Sequence, residues 1–409
     1  MRSVWPERYP FGKTFAVSMV DDTDQATLAA IRPVYECLLQ HGITITKTVW
    51  PLPPVEPSGD QRSIPDAIRY TATLDEDAYV DFCRMLQKSG CEIAMHTASG
   101  GNNIRGRTLQ AYSVFEDAFQ HSPFTNVMHG RNFDNIYWGK LLVEQGILSR
   151  AIQWFEPQDF FGHEPHSKYY WGDVCKDRTR YVRSFETLHP DTLHFDPATP
   201  YHDPTKPHVN WWFSSSNGVG ARLYQLLAPV KIRQLHCDRG ASIIHFYSRA
   251  VSDHNHSSQV DPRFSALCAY LGSVAYGWYV PVVTLLDRLR AIRQLTVTVR
   301  SETILVENRS GMSISDFALN TPGGVMVWDE YGTELSKRRN DYGQIPLGNL
   351  GSTCLLRYSS IEPIRSVSPT TVTPNYWRLA SGTANRLASD YWHGRRGRVN
   401  SDTYQFPTL

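Results

Sequence analysis

The apolar positions in the first part of the chain switch repeatedly between two spacings. Apolar residues three or four positions apart predict helices, several of them followed by Gly, at 26–40, 75–88, 108–120 and 135–144. Runs of apolar and β-branched residues predict buried strands, which begin at Phe15 and recur at 43–50, 91–97, 125–130, 150–154 and 241–250. This alternation of helix and strand is typical of an α/β domain built on a parallel sheet or barrel.

The pattern changes near Leu295. Short strands separated by Gly, Asn, Ser and Pro follow one another as far as Tyr358, and they predict a small antiparallel β-sandwich. We therefore expect an α/β domain at 1–294, the β-sandwich at 295–358 and a polar tail at 359–409. Within the first domain, residues 156–208 predict a long loop region, and such loops are often functional.

Composition and charge narrow the class of protein. The chain has 409 residues, with 41 Lys and Arg against 40 Asp and Glu, so its net charge favours neither nucleic acid nor a membrane surface as a partner. No stretch has the roughly 18 apolar residues of a membrane span, and the N-terminus lacks the apolar core of a signal peptide. The seven cysteines form no C-x-x-C pair, which is typical of reduced thiols. We expect a cytoplasmic protein, and its oligomeric state stays open.

Polar side chains stand where four of the predicted strands end. The first strand stops at Asp21 and Asp22, and three later strands lead to His96, His129 and His245. In a parallel sheet these ends meet at one edge, where ligands gather. The acid pair has another reading, in which Thr23 or Asp24 caps the next helix and the carboxylates only favour its N-terminus.

A cluster of imidazoles and carboxylates has a definite chemistry. Together they offer an open site for Zn²⁺ or a similar divalent ion, which polarises a carbonyl group and acidifies a bound water molecule. A second carboxylate can then act as general base and a histidine as general acid. The sequence therefore predicts a metal-assisted hydrolytic site at this edge of the sheet.

The order VSMVDD, a helix with a Gly-Ile strand, EIAMHT and SIIHF resembles the polysaccharide deacetylase family (carbohydrate esterase family 4, the NodB homology domain). The resemblance covers about Phe15 to Tyr247 and implies a distorted (β/α) barrel of about seven strands, to which the C-terminal antiparallel β-sandwich is added. It also implies removal of N- or O-acetyl groups from sugars. By the same resemblance, Asp21 is the catalytic base, Asp22 and His96 bind the metal, and His245 is the general acid.

Two of the departures from the family pattern affect the predicted site residues. The second histidine of the H-T-x-x-H motif would fall at position 100, which is Gly100. His129 is the best replacement because it follows a neighbouring strand, with Asn102 or Asn103 as weaker alternatives, since amide oxygens suit Zn²⁺ less well. The family's Arg-x-Pro motif is matched only by Arg131, without the proline, and we expect Arg131 to orient Asp21.

We therefore predict a metal-dependent deacetylase, with Zn²⁺ as the expected ion, that cleaves the amide C–N bond of an N-acetylated sugar or glycan precursor. The alternative is an inactive deacetylase-like barrel that binds a glycan or a protein partner, and Gly100 is its best support. A glycoside hydrolase would need two carboxylates about 5–10 Å apart across a cleft, which adjacent Asp21 and Asp22 do not obviously provide. A second metal site is a weaker hypothesis, based on residues His189, Asp191, His194, Asp196, His202, Asp203, His208, Asp253, His254 and His256.

Overall fold

The computed structural model describes residues 2–55, 66–130, 132–143, 146–155, 159–252, 259–370 and 372–396. The chain divides into two compact units. The sheet unit comprises Met1–Ala16, Ala275–Trp278 and Thr284–Thr373, and the barrel unit comprises Val17–Val274, Tyr279–Val283 and Pro374–Leu409. No helix within the described ranges is long and apolar enough to cross a membrane.

The strands differ in how they are buried. The strands Phe15–Asp21 and Glu92–Met95 are buried along their whole length, whereas Leu295–Arg300 and Thr303–Asn308 alternate between buried and partly exposed positions. In chain order they are β1 Arg2–Pro6, β2 Phe15–Asp21, β3 Thr46–Val49, β4 Glu92–Met95, β5 Thr125–Asn126, β6 Tyr181–Thr187, β7 Trp211–Asn217, β8 Ala241–Phe246, β9 Gly277–Tyr279, β10 Leu295–Arg300, β11 Thr303–Asn308, β12 Ile314–Asn320, β13 Met326–Trp328, β14 Gln344–Leu350, β15 Thr353–Ser359 and β16 Ile364–Ser366.

Most of the helices lie between the strands of the barrel unit. The longer helices bury residues spaced three or four positions apart, for example Ile31, Val34 and Leu38 in the first helix. In chain order the helices are α1 Leu28–Gln40, α2 Asp66–Arg69, α3 Asp77–Lys88, α4 Arg105–Phe119, α5 Ile147–Phe155, α6 Gly172–Arg178, α7 Thr192–Phe195, α8 Arg222–Leu226, α9 Pro229–Asp238, α10 Pro262–Ser273, α11 Val282–Arg293 and α12 Tyr376–Arg396.

Seven strands of the barrel unit close on themselves. Their order is β3-β4-β5-β6-β7-β8-β2, and pairing of β2 with β3 completes the circle. The pairs from β2 to β8 are parallel, so the carboxyl ends of the strands lie at one end of the barrel. This confirms the predicted barrel of about seven strands.

The sheet unit is a β-sandwich. Its two four-stranded sheets have the orders β14-β12-β1-β16 and β10-β11-β15-β13. Side chains from both sheets, among them Val4, Phe317, Val306 and Leu356, form one buried apolar core. The pairs are antiparallel except that of β1 with β16.

The boundaries of the parts differ from those expected. The N-terminal strand β1 belongs to the sheet unit, and part of the predicted polar tail forms β16 and the 21-residue helix α12, the latter within the barrel unit. The segment 150–154, predicted as a strand, lies within helix α5. In the predicted helix 135–144, the described residues 135–143 form only a short 3₁₀ turn, at Gly139–Leu142. The region 156–208, predicted as loops, contains a full barrel strand, β6.

Candidate active site

A cavity of about 1400 Å³ opens at the carboxyl ends of the barrel strands. Residues that follow or end five strands line it, and three carboxylates and three histidines are among them. These are Asp22 and Asp24 after β2, His96 after β4, His129 after β5, Glu186 in β6 and His245 in β8. The strand-end histidines therefore converge on one cavity, together with two carboxylates from the loop after β2.

Asp24, His96 and His129 form a cluster that could hold a metal ion. One ligand atom from each lies within 4.8 Å of those of the others. One Asp24 oxygen is 3.2 Å from Nε2 of His96, and the other is 2.9 Å from Nε2 of His129. No other such group of three occurs in the described part of the chain. Although burial opposes it most strongly, contact with His129 and His96 holds the pKa of Asp24 well below its ordinary value.

The far side of each imidazole is already fixed. Nδ1 of His96 donates to the carbonyl oxygen of Val127 at 2.9 Å, which can only accept. Nδ1 of His129 lies 2.9 Å from Oδ1 of Asn132, whose Nδ2 donates to the carbonyls of Ser99 and Gly101. Each Nε2 is thus left as the ligand atom and faces Asp24. This is the outer-shell arrangement that orients metal-binding histidines, so the donor set fits a divalent ion such as Zn²⁺.

Gly100, the position of the missing motif histidine, is closed to any side chain. A Cβ atom there would lie 2.4 Å from Cγ2 of Ile68 and 2.6 Å from Cη2 of Trp50. The Trp50 ring is fully buried and lies parallel to His96, with ring centroids 6.0 Å apart. Trp50 also meets the ring of His129 edge-on. It therefore fills the space that a histidine at position 100 would need, while His129 reaches the cluster from the next strand.

We expect the substitution Gly100→His to destabilise the fold rather than to restore a ligand. The new side chain would overlap Trp50 and Ile68, and overpacking of this kind costs about 1–3 kcal/mol. Urea unfolding of Gly100→His beside the wild type measures the loss. The exposed substitution Gly106→His, whose Cβ would meet nothing within 4 Å, controls for adding a histidine. A Gly100→His chain as stable as wild type would contradict this picture of the pocket.

Asp21 lies beneath the cavity rather than in it. Its carboxylate accepts hydrogen bonds from the hydroxyl of Tyr35 at 2.7 Å and the backbone N–H of Ser248 at 2.7 Å. It also forms an ion pair with Nζ of Lys47 at 3.0 Å, with both side chains fully buried. These partners occupy both oxygens, and Asp21 does not line the cavity. Its contacts are those of a structural group, unlike the base role that the family resemblance implied.

Asp22 faces the cavity but stands apart from the histidine cluster. Its two oxygens accept from the two terminal nitrogens of Arg183, at 3.1 and 2.9 Å. Such a two-point contact fixes the orientation of a carboxylate. The residue predicted as a metal ligand is therefore paired with an arginine, and Asp24, two residues later, holds the place beside His96 and His129.

His245 belongs to a buried ionic cluster around Glu186. Nδ1 of His245 lies 3.3 Å from one Glu186 oxygen, and Nε of Arg386 lies 3.3 Å from the other. Nε of Arg183 is 3.6 Å from Glu186. Burial alone would raise the pKa of Glu186, but His245, Arg386 and Arg183 lower it to about 2. Burial lowers the pKa of His245, and Glu186 opposes that shift.

The remaining candidates have other positions. Arg131 lies outside the described residues, as do Asp253, His254 and His256. Oδ1 of Asn102 accepts from the backbone N–H of Phe133, and Nδ2 of Asn103 donates to the carboxylate of Asp134. Both amides thus join the loops after β4 and β5, and neither belongs to the Asp24 cluster. His189, His194, His202 and His208 form no metal-type cluster within the described ranges.

Two site residues missed by the sequence reasoning had a visible signal. Arg183 and Glu186 occur in YVRSFET, where two charges interrupt an otherwise strand-like segment. Charges in a fully buried strand need partners, so their presence marks a polar site. Arg386 had no such signal, since its helix lies in a segment predicted as a polar tail.

Comparison with known proteins finds solved structures that match the chain with low TM-scores and low identity. No protein-family model matches the chain, and no curated protein matches it in sequence. Puue allantoinase matches with a TM-score of 0.40 and 11% identity, over 69% of this chain and 93% of the other. A Mycobacterium smegmatis protein assigned as a polysaccharide deacetylase matches with a TM-score of 0.40 and 11% identity, over 70% and 94%. A Pseudomonas aeruginosa PAO1 protein with the same assignment has a TM-score of 0.39 and 11% identity, over 69% and 92%. Two of these matches are therefore proteins assigned as polysaccharide deacetylases.

Proposed function

We propose that the protein is a metal-dependent hydrolase that removes the acetyl group from an N-acetylated sugar or glycan precursor. One observation carries the proposal: two carboxylates of a single loop face the same cavity in different environments. Asp24 lies between two imidazoles, and Asp22 lies against a guanidinium group. A hydrolytic site of this type needs that division, with one carboxylate for the ion and one for the proton.

Asp24, His96 and His129 would hold the ion, with Nε2 of each histidine and a carboxylate oxygen as ligand atoms. Three protein ligands leave a position open, as in catalytic zinc sites. When bound, the ion polarises the acetyl carbonyl and acidifies a water molecule. We therefore reassign the ligand role expected for Asp22 to Asp24, and we keep His96 and His129.

Asp22 would act as the general base in place of Asp21. Its position on the cavity wall gives it access to a water molecule, and the two-point contact with Arg183 holds its oxygens in a fixed direction. Arg183 would thus do what was expected of Arg131. Removing the proton from the attacking water is the step that a carboxylate so placed can assist.

His245 would protonate the nitrogen of the leaving sugar amine. It lies in the same cavity on β8, and Glu186 contacts its Nδ1. The contact leaves Nε2 as the atom that can exchange a proton with a substrate, in the way that a carboxylate orients a catalytic histidine. Asp22 and His245 together supply the base and the acid that cleavage of an amide bond needs.

The size of the cavity supports a substrate larger than one small metabolite. Its volume of about 1400 Å³ exceeds the roughly 300–1,000 Å³ of ordinary small-ligand pockets. All seven cysteines are free, in keeping with the expected cytoplasmic location. A nucleotide-linked or lipid-linked sugar precursor is therefore the substrate class that we propose, rather than a finished cell-wall polymer.

Acetate release from N-acetylated saccharides tests the proposal. Zinc-loaded protein should release acetate, and chelator-treated protein should not, because the bound ion would polarise the acetyl carbonyl and acidify the attacking water. Activity should return when Zn²⁺ or Co²⁺ is added back. A loaded protein that binds such saccharides but releases no acetate would favour the other candidate function, a barrel that binds a glycan without cleaving it.

A further inference from the structure

The C-terminal helix α12 is seated firmly within the barrel unit. The hydroxyl of Tyr376, its first residue, donates to Asp203 at 2.7 Å. At Gly382 the helix comes so close to Phe195 that an added Cβ would lie 2.4 Å from the ring. Leu379 is also buried. The sequence pattern gave no sign of this helix, yet its contacts fix its position along β6.

The same helix contributes directly to the ionic cluster of the cavity. Thr383 donates from its hydroxyl to the backbone oxygen of Glu186 at 3.1 Å. One turn later, Nε of Arg386 lies 3.3 Å from Oε2 of Glu186, with the arginine side chain 12% exposed. The other Glu186 oxygen is the one that His245 contacts. Arg386 and His245, the proposed acid, thus contact the two oxygens of the same carboxylate.

Charge balance shows what Arg386 does there. The charged groups that face His245 are Asp22 and Glu186, both acidic, and Arg183 and Arg386, both basic. Two negative and two positive groups cancel, so the cluster is balanced while His245 is neutral. Without Arg386 it would be balanced only with a protonated His245. Arg386 also contacts Asp390 at 2.9 Å, but the other oxygen of Asp390 lies 2.5 Å from Arg222, so Asp390 and Arg222 together add no net charge.

We propose that α12 is part of the active site, and that Arg386 is a positioning residue that sets the proton affinity of His245 through Glu186. The role of His245 as an acid rests on the proposed function. The electrostatic coupling between Arg386 and His245 does not depend on it. Removing Arg386 still leaves Glu186 in contact with Arg183, His245 and the side chain of Asn217. The carboxylate therefore stays beside His245, and the main change is the loss of one positive charge.

Titration of the His245 ring by NMR, on metal-free protein without substrate, tests the coupling. The resonance is assigned by its absence in His245→Gln. In Arg386→Met we expect the midpoint to rise by about half a pH unit or more. A nearby positive charge disfavours protonation of an imidazole, and this substitution removes one. In Glu186→Gln it should fall, because the attracting carboxylate is lost. Arg378→Met, on the same helix but away from the cavity lining, should leave it unchanged.

Arg386→Gln serves as a second test variant if Arg386→Met folds poorly. It is neutral but can still donate a hydrogen bond to Glu186, and it should show the same upward shift. A midpoint equal to that of wild type in a folded Arg386→Met or Arg386→Gln chain would overturn the inference. So would an equal shift in Arg378→Met, because the effect would then belong to the helix in general.

The inference and the proposed function can fail separately. If the wild type never releases acetate but the His245 midpoint moves as expected, the coupling stands and the hydrolase proposal falls. If acetate is released, the alkaline limb of its pH profile should move upward in Arg386→Met, because the acid form of His245 persists to higher pH. An active Arg386→Met enzyme with neither shift would overturn the coupling alone.

Discussion

Asp22→Asn will slow acetate release by orders of magnitude and leave the metal in place. The amide cannot take a proton from water, and loss of a general base typically lowers the rate about 10²–10⁴-fold. Asn has nearly the same shape and can still accept a hydrogen bond from Arg183, so the loop should keep its course. The measurement is kcat for acetate release, together with metal content of the same preparation.

Asp24→Asn is the matched control two residues away. It removes a charged ligand from the cluster with His96 and His129, so the ion itself should be lost, and the activity with it. The two variants therefore separate the roles. Asp22→Asn should keep the metal but lose activity, and Asp24→Asn should lose both. The reverse pattern, with metal lost in Asp22→Asn and kept in Asp24→Asn, would restore the assignment that the family resemblance implied.

Asp21→Asn should act on stability rather than directly on chemistry. The substitution leaves Lys47 charged, fully buried and without its counter-ion, and breaking a buried ion pair in this way costs about 3–5 kcal/mol. It also places an amide where one carboxylate oxygen accepts from Tyr35. We expect the free energy of unfolding in urea to fall by that amount.

Lys47→Met supplies the control for this second effect. In the double variant Asp21→Asn/Lys47→Met no charge is left unpaired at this place, so the loss of stability should be smaller than the sum of the two single losses. A double-mutant cycle measures that coupling. If Asp21→Asn were as stable as wild type but inactive, Asp21 would be the base after all.

The sequence predicted the barrel because its strands carry a simple signal. Strands such as β2 and β4 are buried throughout, so their sequences are short and mostly apolar, and a polar residue follows each strand directly. The helices α1 and α3 have the matching spacing. By contrast, α5 has a strongly apolar short sequence that fits either type of element, since a short apolar run cannot separate a buried strand from a helix.

The roles of the acids after β2 could not be read from the pattern. VDDTD contains three carboxylates in four positions, and motif matching selects the first two by order alone. Which carboxylate contacts His96 and His129 depends on the residues of other strands that pack against this loop. Lys47 holds Asp21 below the cavity, and Arg183 holds Asp22 to one side. Both partners come from other strands, so no local rule places them.

The approach of His129 to His96 was predictable, but the closure of position 100 was not. The strand-end rule placed His129 near His96, and the structure brings them together with Asp24. That position 100 is closed follows from Trp50, which comes from a different strand end. In the same way Arg386 reaches Glu186 across more of the chain than any local pattern spans.

A crystal of the protein soaked with Zn²⁺ and measured at the zinc absorption edge tests the central claim most directly. We predict one strong anomalous peak within bonding distance, about 2.0–2.2 Å, of Nε2 of His96, Nε2 of His129 and a carboxylate oxygen of Asp24. A peak coordinated by Asp22 instead of Asp24, or no peak in the cavity at saturating zinc, would contradict the account.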